Sequence, residues 1–123
     1  MSQLLYLAHP IAGDVAGNLA NVLLWKEWLQ HWYPHLVASV PYYTDLLIYD
    51  DSDPEQRAAG IARDMVQLKR HDALVMLVRA TPGVHNEACA MQGLRRPVYD
   101  LRHLGEKPPE GAVPADEWKR WRF

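Results

Sequence analysis

The chain has 123 residues, 13 Lys plus Arg against 15 Asp plus Glu, a formal net charge of -2 and a single cysteine. That length supports one core rather than two, and the near-neutral balance offers no electrostatic footprint for nucleic acid or a membrane surface. One cysteine rules out an internal disulfide and a cysteine-rich zinc site, and no apolar run approaches the roughly 20 residues of a membrane span.

Met1-Ser2-Gln3 carries no basic segment ahead of a short apolar run, so a cytoplasmic protein is expected. Leu4 to Ala8 reads as a first strand. Gly17 to about Tyr33 places Leu19, Val22, Leu23, Trp25, Trp28, Leu29 and Trp32 near a 3.6-residue period, which predicts an amphipathic helix ended by Pro34. Leu36 to Val40 reads as a second strand, and Pro41 to Ser52, rich in tyrosine and aspartate, as irregular chain. Asp53-Pro54 gives an N-cap with proline at the first helical position, opening a helix to about Arg70. The continuous apolar run Ala73 to Val78 suits a central parallel strand. A helix follows Gly83 and stops at Gly93, and Pro97 to Leu101 is the last predicted strand.

Four strands alternating with three helices predict an α/β domain over residues 1–104, flavodoxin-like, with a parallel sheet of order 2-1-3-4. Residues 105–123 read as a proline-spaced arm that carries Trp118, Trp121 and Phe123. Those rings need a surface to cover them, either the parent domain or a neighbouring subunit, and a homo-oligomer whose tail reaches its neighbour is expected.

In such a sheet, ligands bind beyond the carboxyl ends of the strands, at the point where the strand order reverses. Three segments meet there. The first is the loop Ala8-His9-Pro10-Ile11-Ala12-Gly13-Asp14, whose small residues let a ligand approach the backbone. The second is one face of the second helix, with Arg57, Gly60, Asp64 and Leu68 in register. The third is Thr81-Pro82-Gly83, opening a helix whose N–H groups favour anionic atoms and whose first turns carry Glu87. Glu87 is therefore the candidate reactive group, although a glutamate so placed could equally serve only the helix dipole. Asp64 has its own bland reading, as an exposed partner of Lys69 or Arg57. Tyr42, Tyr43 and Tyr49 could stack on a flat ring or rim the core. His31 and His35 find no partners at metal-ligand spacing, so neither metal nor cofactor is expected.

Tyr6-Leu7-Ala8-x-Pro10-Ile11, then Arg57-x-x-Gly60-x-x-x-Asp64-x-x-x-Leu68-x-x-x-Asp72, then Thr81-Pro82-Gly83-x-x-x-Glu87 and Gly93-x-x-x-Pro97-Val98 resemble the nucleoside 2-deoxyribosyltransferase superfamily, nearest its small bacterial and phage branches. The resemblance spans residues 4 to 101. It implies cleavage or transfer at the N-glycosidic bond of a nucleoside or nucleoside 5'-monophosphate, with Glu87 as nucleophile, Tyr6 holding and polarising it, and Asp64 handling the proton on the base. It also implies dimers or larger assemblies in which C-terminal residues complete a neighbour's pocket. One departure stands out: Thr81 occupies a position where transferases carry aspartate and nucleotide-hydrolysing relatives carry a hydroxyl that contacts the 5'-phosphate. Two other classes of role fit the same residues, a non-catalytic nucleotide-binding module and an oligomeric interaction protein.

Overall fold

The computed structural model describes residues 3–50 and 52–123; Met1, Ser2 and Asp51 lie outside the description. Its sheet has five strands, β1 (Gln3–Ala8), β2 (Leu36–Ser39), β3 (Ala73–Met76), β4 (Val98–Asp100) and β5 (Lys119–Arg120), in the order β2-β1-β3-β4-β5. The first four run parallel: Leu5 pairs with Ala38 and with Ala73, and Leu74 pairs with Val98. The topology is flavodoxin-like, as predicted, with one antiparallel strand added at the edge, where Tyr99 faces Arg120 and Asp100 faces Lys119.

Strand alternation sorts the core into two layers. Leu5, Leu7, Ala73 and Val75 face helix α1 (Val15–Trp32) and pack on its Val22, Trp25, Trp28 and Leu29. Tyr6, Ala8, Leu74 and Met76 face the other way, onto Leu68 at the end of α3 (Pro54–Leu68) and Val84, Ala88 and Met91 of α4 (Pro82–Gly93). Asp53 accepts from the Glu55 N–H at 2.9 Å and Pro54 takes the first helical position, so the start of α3 is the one its sequence dictates. Asp72 is structural: its carboxylate accepts from the Leu4 N–H at 2.7 Å and ties the starts of β1 and β3 together. Among the described residues no helix is long and apolar enough to cross a membrane.

One expectation changes. The stretch predicted to be irregular contains a six-residue helix, α2 (Tyr43–Ile48), whose aromatic and β-branched residues have little helical preference of their own. Burial of Tyr42 and the Asp45–Arg63 ion pair at 2.9 Å supply what local sequence does not.

The tail finds one of its two expected surfaces on the parent domain. It uses its hydrogen bonds and rings within its own chain. The Glu106 carbonyl accepts from Asn21 Nδ2 at 2.9 Å and from Trp25 Nε1 at 3.1 Å, and the Gly111 carbonyl accepts from Trp28 Nε1 at 3.0 Å. Val113 is buried, its N–H donating to the Tyr33 hydroxyl at 2.8 Å. Trp118 then packs edge-on against Tyr33 and Tyr99, with ring centroids at 5.0 and 5.7 Å. The physical reason is an uncovered sheet face. α1 alone cannot shield the β3–β4 side of its layer, and the strapped-down tail takes the place of a further helix.

Candidate active site

A cleft of about 250 Å³ opens beyond the carboxyl ends of β1 and β3, between the loop after β1, helices α2 and α3, and the start of α4. Of the residues predicted for the site, His9, Ile11, Arg57, Asp64, Thr81, Pro82, Gly83 and Glu87 line it. Gly60 lines only a smaller pocket of about 40 Å³ that shares Arg57 and Asp64 with the main cleft. Tyr6 and Ala8 are fully buried behind the cleft, and Pro10 is buried beside them.

The remaining loop residues serve the backbone. Asp14 caps α1, accepting from the Gly17 N–H at 3.1 Å, and Gly13 turns the chain at φ +96°, a left-handed value that glycine adopts without strain. Neither lines the cleft. His9 reaches the cleft wall, but both ring nitrogens are used. Nδ1 donates to its neighbour Pro10's carbonyl at 2.6 Å and Nε2 accepts from Asn21 Nδ2 at 2.8 Å, which fixes one neutral tautomer. Burial also pushes its pKa down, against an opposing backbone hydrogen bond. His9 shapes the loop rather than supplying a proton.

At the inner end of the cleft the Tyr6 hydroxyl donates to Glu87 Oε2. The contact joins the sheet centre to the second turn of α4, and the Tyr6 ring is itself wedged by Tyr42 at 5.8 Å and His71 at 5.3 Å. The Tyr42 hydroxyl donates to the Leu7 carbonyl at 2.5 Å, so that ring is a fixed wall and not a mobile stacking platform. Tyr43 packs in the core beneath, and Tyr49 lies under the Arg63 guanidinium at 4.6 Å.

Burial of the Glu87 carboxyl pushes its pKa up to about 8; the Tyr6 hydrogen bond opposes the shift and the nearby Asp64 adds to it. Tyr6 is raised well above the usual phenol range by burial first, then by Glu87. A carboxyl whose ionisation is thus displaced to near neutrality, with a second carboxyl beside it, is the arrangement that acid–base and nucleophilic chemistry needs.

Thr81 caps α4, its Oγ1 accepting from the Val84 N–H at 3.3 Å. A Cβ built on Gly83 would meet no protein atom within 4 Å, so packing does not require glycine there and its absence of side chain leaves the helix start open to the cleft. An anionic group is therefore favoured at this end. A nucleoside 5'-monophosphate is expected to bind at least threefold more tightly than its nucleoside, measured by isothermal titration; preference for the nucleoside would remove the phosphate from the reading.

The chain reaches α4 through a tight turn. Val78, the residue after Leu77, sits at φ +67°, an unusual value for a β-branched side chain, and the Arg79 N–H closes back on the Leu77 carbonyl at 2.8 Å. Such a residue stores on the order of 1–3 kcal/mol of strain, held here by the packed strand before it and the capped helix after it. Sequence reading missed this turn, and it missed Ile61, Met65 and Asn86 in the cleft wall. Ile61 was legible, being four residues after Arg57 on the same helical face. Among the described residues no group of three or more His, Cys, Asp or Glu could hold a metal ion.

Comparison of the chain with family models, with curated proteins and with solved structures finds no match.

Proposed function

We propose that this protein cleaves or transfers the N-glycosidic bond of a nucleoside or nucleoside 5'-monophosphate, as the resemblance to the nucleoside 2-deoxyribosyltransferase superfamily implies. The observation that carries the reading is the Tyr6–Glu87 hydrogen bond at the inner end of a cleft that also holds Asp64. The ionised Glu87 carboxylate attacks the anomeric carbon while the C–N bond breaks and its electron pair leaves with the base. Asp64 passes on the proton that the departing base takes up from solvent. Water or an acceptor base then displaces Glu87 from the sugar and returns a proton through Asp64. Thr81 and the α4 start hold a 5'-phosphate away from the two carboxyls.

The test is release of free base from a panel of nucleosides and monophosphates, followed by chromatography across pH. Since Glu87 must be ionised and titrates at about 8, kcat/KM is expected to rise with pH and level off above that value. The Tyr6 hydrogen bond holds the pKa down, so Tyr6→Phe is expected to move the rise to higher pH. The raised titration favours one other reading, in which neutral Glu87 is the proton donor. In that case kcat/KM would fall, not rise, as pH passes 8. No base released at any pH would leave a nucleotide-binding module.

A further inference from the structure

β2 is the end strand of the sheet, so one side of it has no strand beside it. Successive residues of a strand turn their N–H and C=O to alternate sides, and the two that face outward here are Leu36 and Ala38. All four of their backbone groups are taken. The Leu36 N–H donates to the Tyr33 carbonyl at 2.9 Å, and the Leu36 carbonyl accepts from Gln30 Nε2 at 2.8 Å. The Ala38 N–H donates to Gln30 Oε1 at 2.7 Å, and the Ala38 carbonyl accepts from Lys26 Nζ.

The Gln30 amide thus accepts and donates as a peptide group of a neighbouring strand would. Spacing explains how α1 supplies both side chains. Lys26 and Gln30 are four residues apart on one side of the helix, a rise of about 6 Å, and the Leu36 and Ala38 carbonyls are two strand residues apart, roughly 6.6 Å.

Water could satisfy the same backbone groups at an open edge, but water yields to an incoming strand and side chains anchored on a packed helix do not. Val37 gives the reason for such cover. Leu36 and Ala38 point under α1, while Val37 faces the other side of the sheet and is 45% exposed. Bare backbone here would stand beside a β-branched apolar side chain, the combination that templates strand addition. The opposite edge is blunted differently, since β5 has only two residues, Lys119 and Arg120, both cationic.

We infer that Gln30 and Lys26 close the β2 edge against strand addition by a second copy of this chain. The occupant follows from symmetry: two identical edges pair antiparallel about a two-fold axis, joining the two five-stranded sheets in a closed dimer. Assembly of the wild-type chain therefore uses another surface. The inference is independent of the proposed reaction in the cleft.

The full chain carrying both Lys26→Ala and Gln30→Ala tests it, since alanine keeps the helix and adds no apolar bulk. Hydrogen exchange read by NMR is expected to show the Ala38 amide roughly tenfold faster or more in the dilute variant than in the wild type. Light scattering at millimolar concentration is expected to give the variant roughly twice the wild-type mass, with Ala38 exchange slowing again as the edge is covered. Adding Val37→Lys, which sets like charges across the two-fold axis, is expected to return the mass to the wild-type value. Gln30→Ala alone, read in the same two ways, takes over if the double variant does not fold. Equal Ala38 exchange in variant and wild type would overturn the capping, and an unchanged mass would overturn the exclusion of a second copy. A doubled mass that survives Val37→Lys would place the contact on another face and overturn the assignment to β2.

Discussion

Glu87→Gln is expected to slow base release by at least ~10³-fold, about 4 kcal/mol of barrier, while making the folded protein more stable in alkali. Both effects have one origin. The carboxyl is enclosed, so its charged form is disfavoured and its pKa stands at about 8 against 4.5 for a free glutamate. Between those two values the native state keeps a proton that the unfolded chain has given up. Stability is therefore full below about pH 4.5, falls as pH rises through the interval, and levels off above about 8. Glutamine has no charge to bury and can still accept from Tyr6, so the variant escapes that loss. Its advantage is expected to be on the order of 1–3 kcal/mol at pH 9, reduced from the full shift for solvent screening, and near zero at pH 4.5. Thermal melting of both proteins at the two pH values, beside a base-release assay, measures it. Activity within tenfold of wild type would remove Glu87 as nucleophile; a melting difference that does not change with pH would remove the buried carboxyl as its source.

Deleting residues 116–123 is expected to destabilise the domain by about 3–5 kcal/mol, a fall in Tm of roughly 10–20 °C. The deletion removes Trp118 from between Tyr33 and Tyr99, removes β5 from the sheet edge, and takes away the Trp121 N–H that donates to the Val98 carbonyl at 2.9 Å. An unpaired β4 edge would remain, which favours aggregation. Trp118→Ala isolates the packing part without touching the strand. Light scattering of the truncated and full chains tests whether the tail also works between subunits. A truncated protein that melts like wild type but has lower oligomer mass would mean that the tail works between subunits, as its composition had suggested.

The elements that local chemistry specifies were legible in the sequence. The apolar run from Ala73, bounded by charge, reads as a buried strand, although the strand ends at Met76 and Val78 already turns; Asp53-Pro54 marks a helix start without help from the rest of the chain, and alternating strands and helices leave few topologies that right-handed connections allow. Glu87, Asp64, Arg57 and Thr81 were legible for the same reason, since strand ends in such a sheet converge on one cleft. What the tertiary structure decided are features that depend on partners distant along the chain. α2 forms because Tyr42 is buried and Asp45 finds Arg63, and the tail folds back because α1 leaves part of the sheet uncovered. His9 is held by Asn21, twelve residues away, and Asp14 caps its own helix. Tyr6 meets Glu87 across 81 residues of sequence. Propensity and periodicity act within a few residues, whereas desolvation and charge depend on everything packed nearby, so the Glu87 titration exists only in the folded chain.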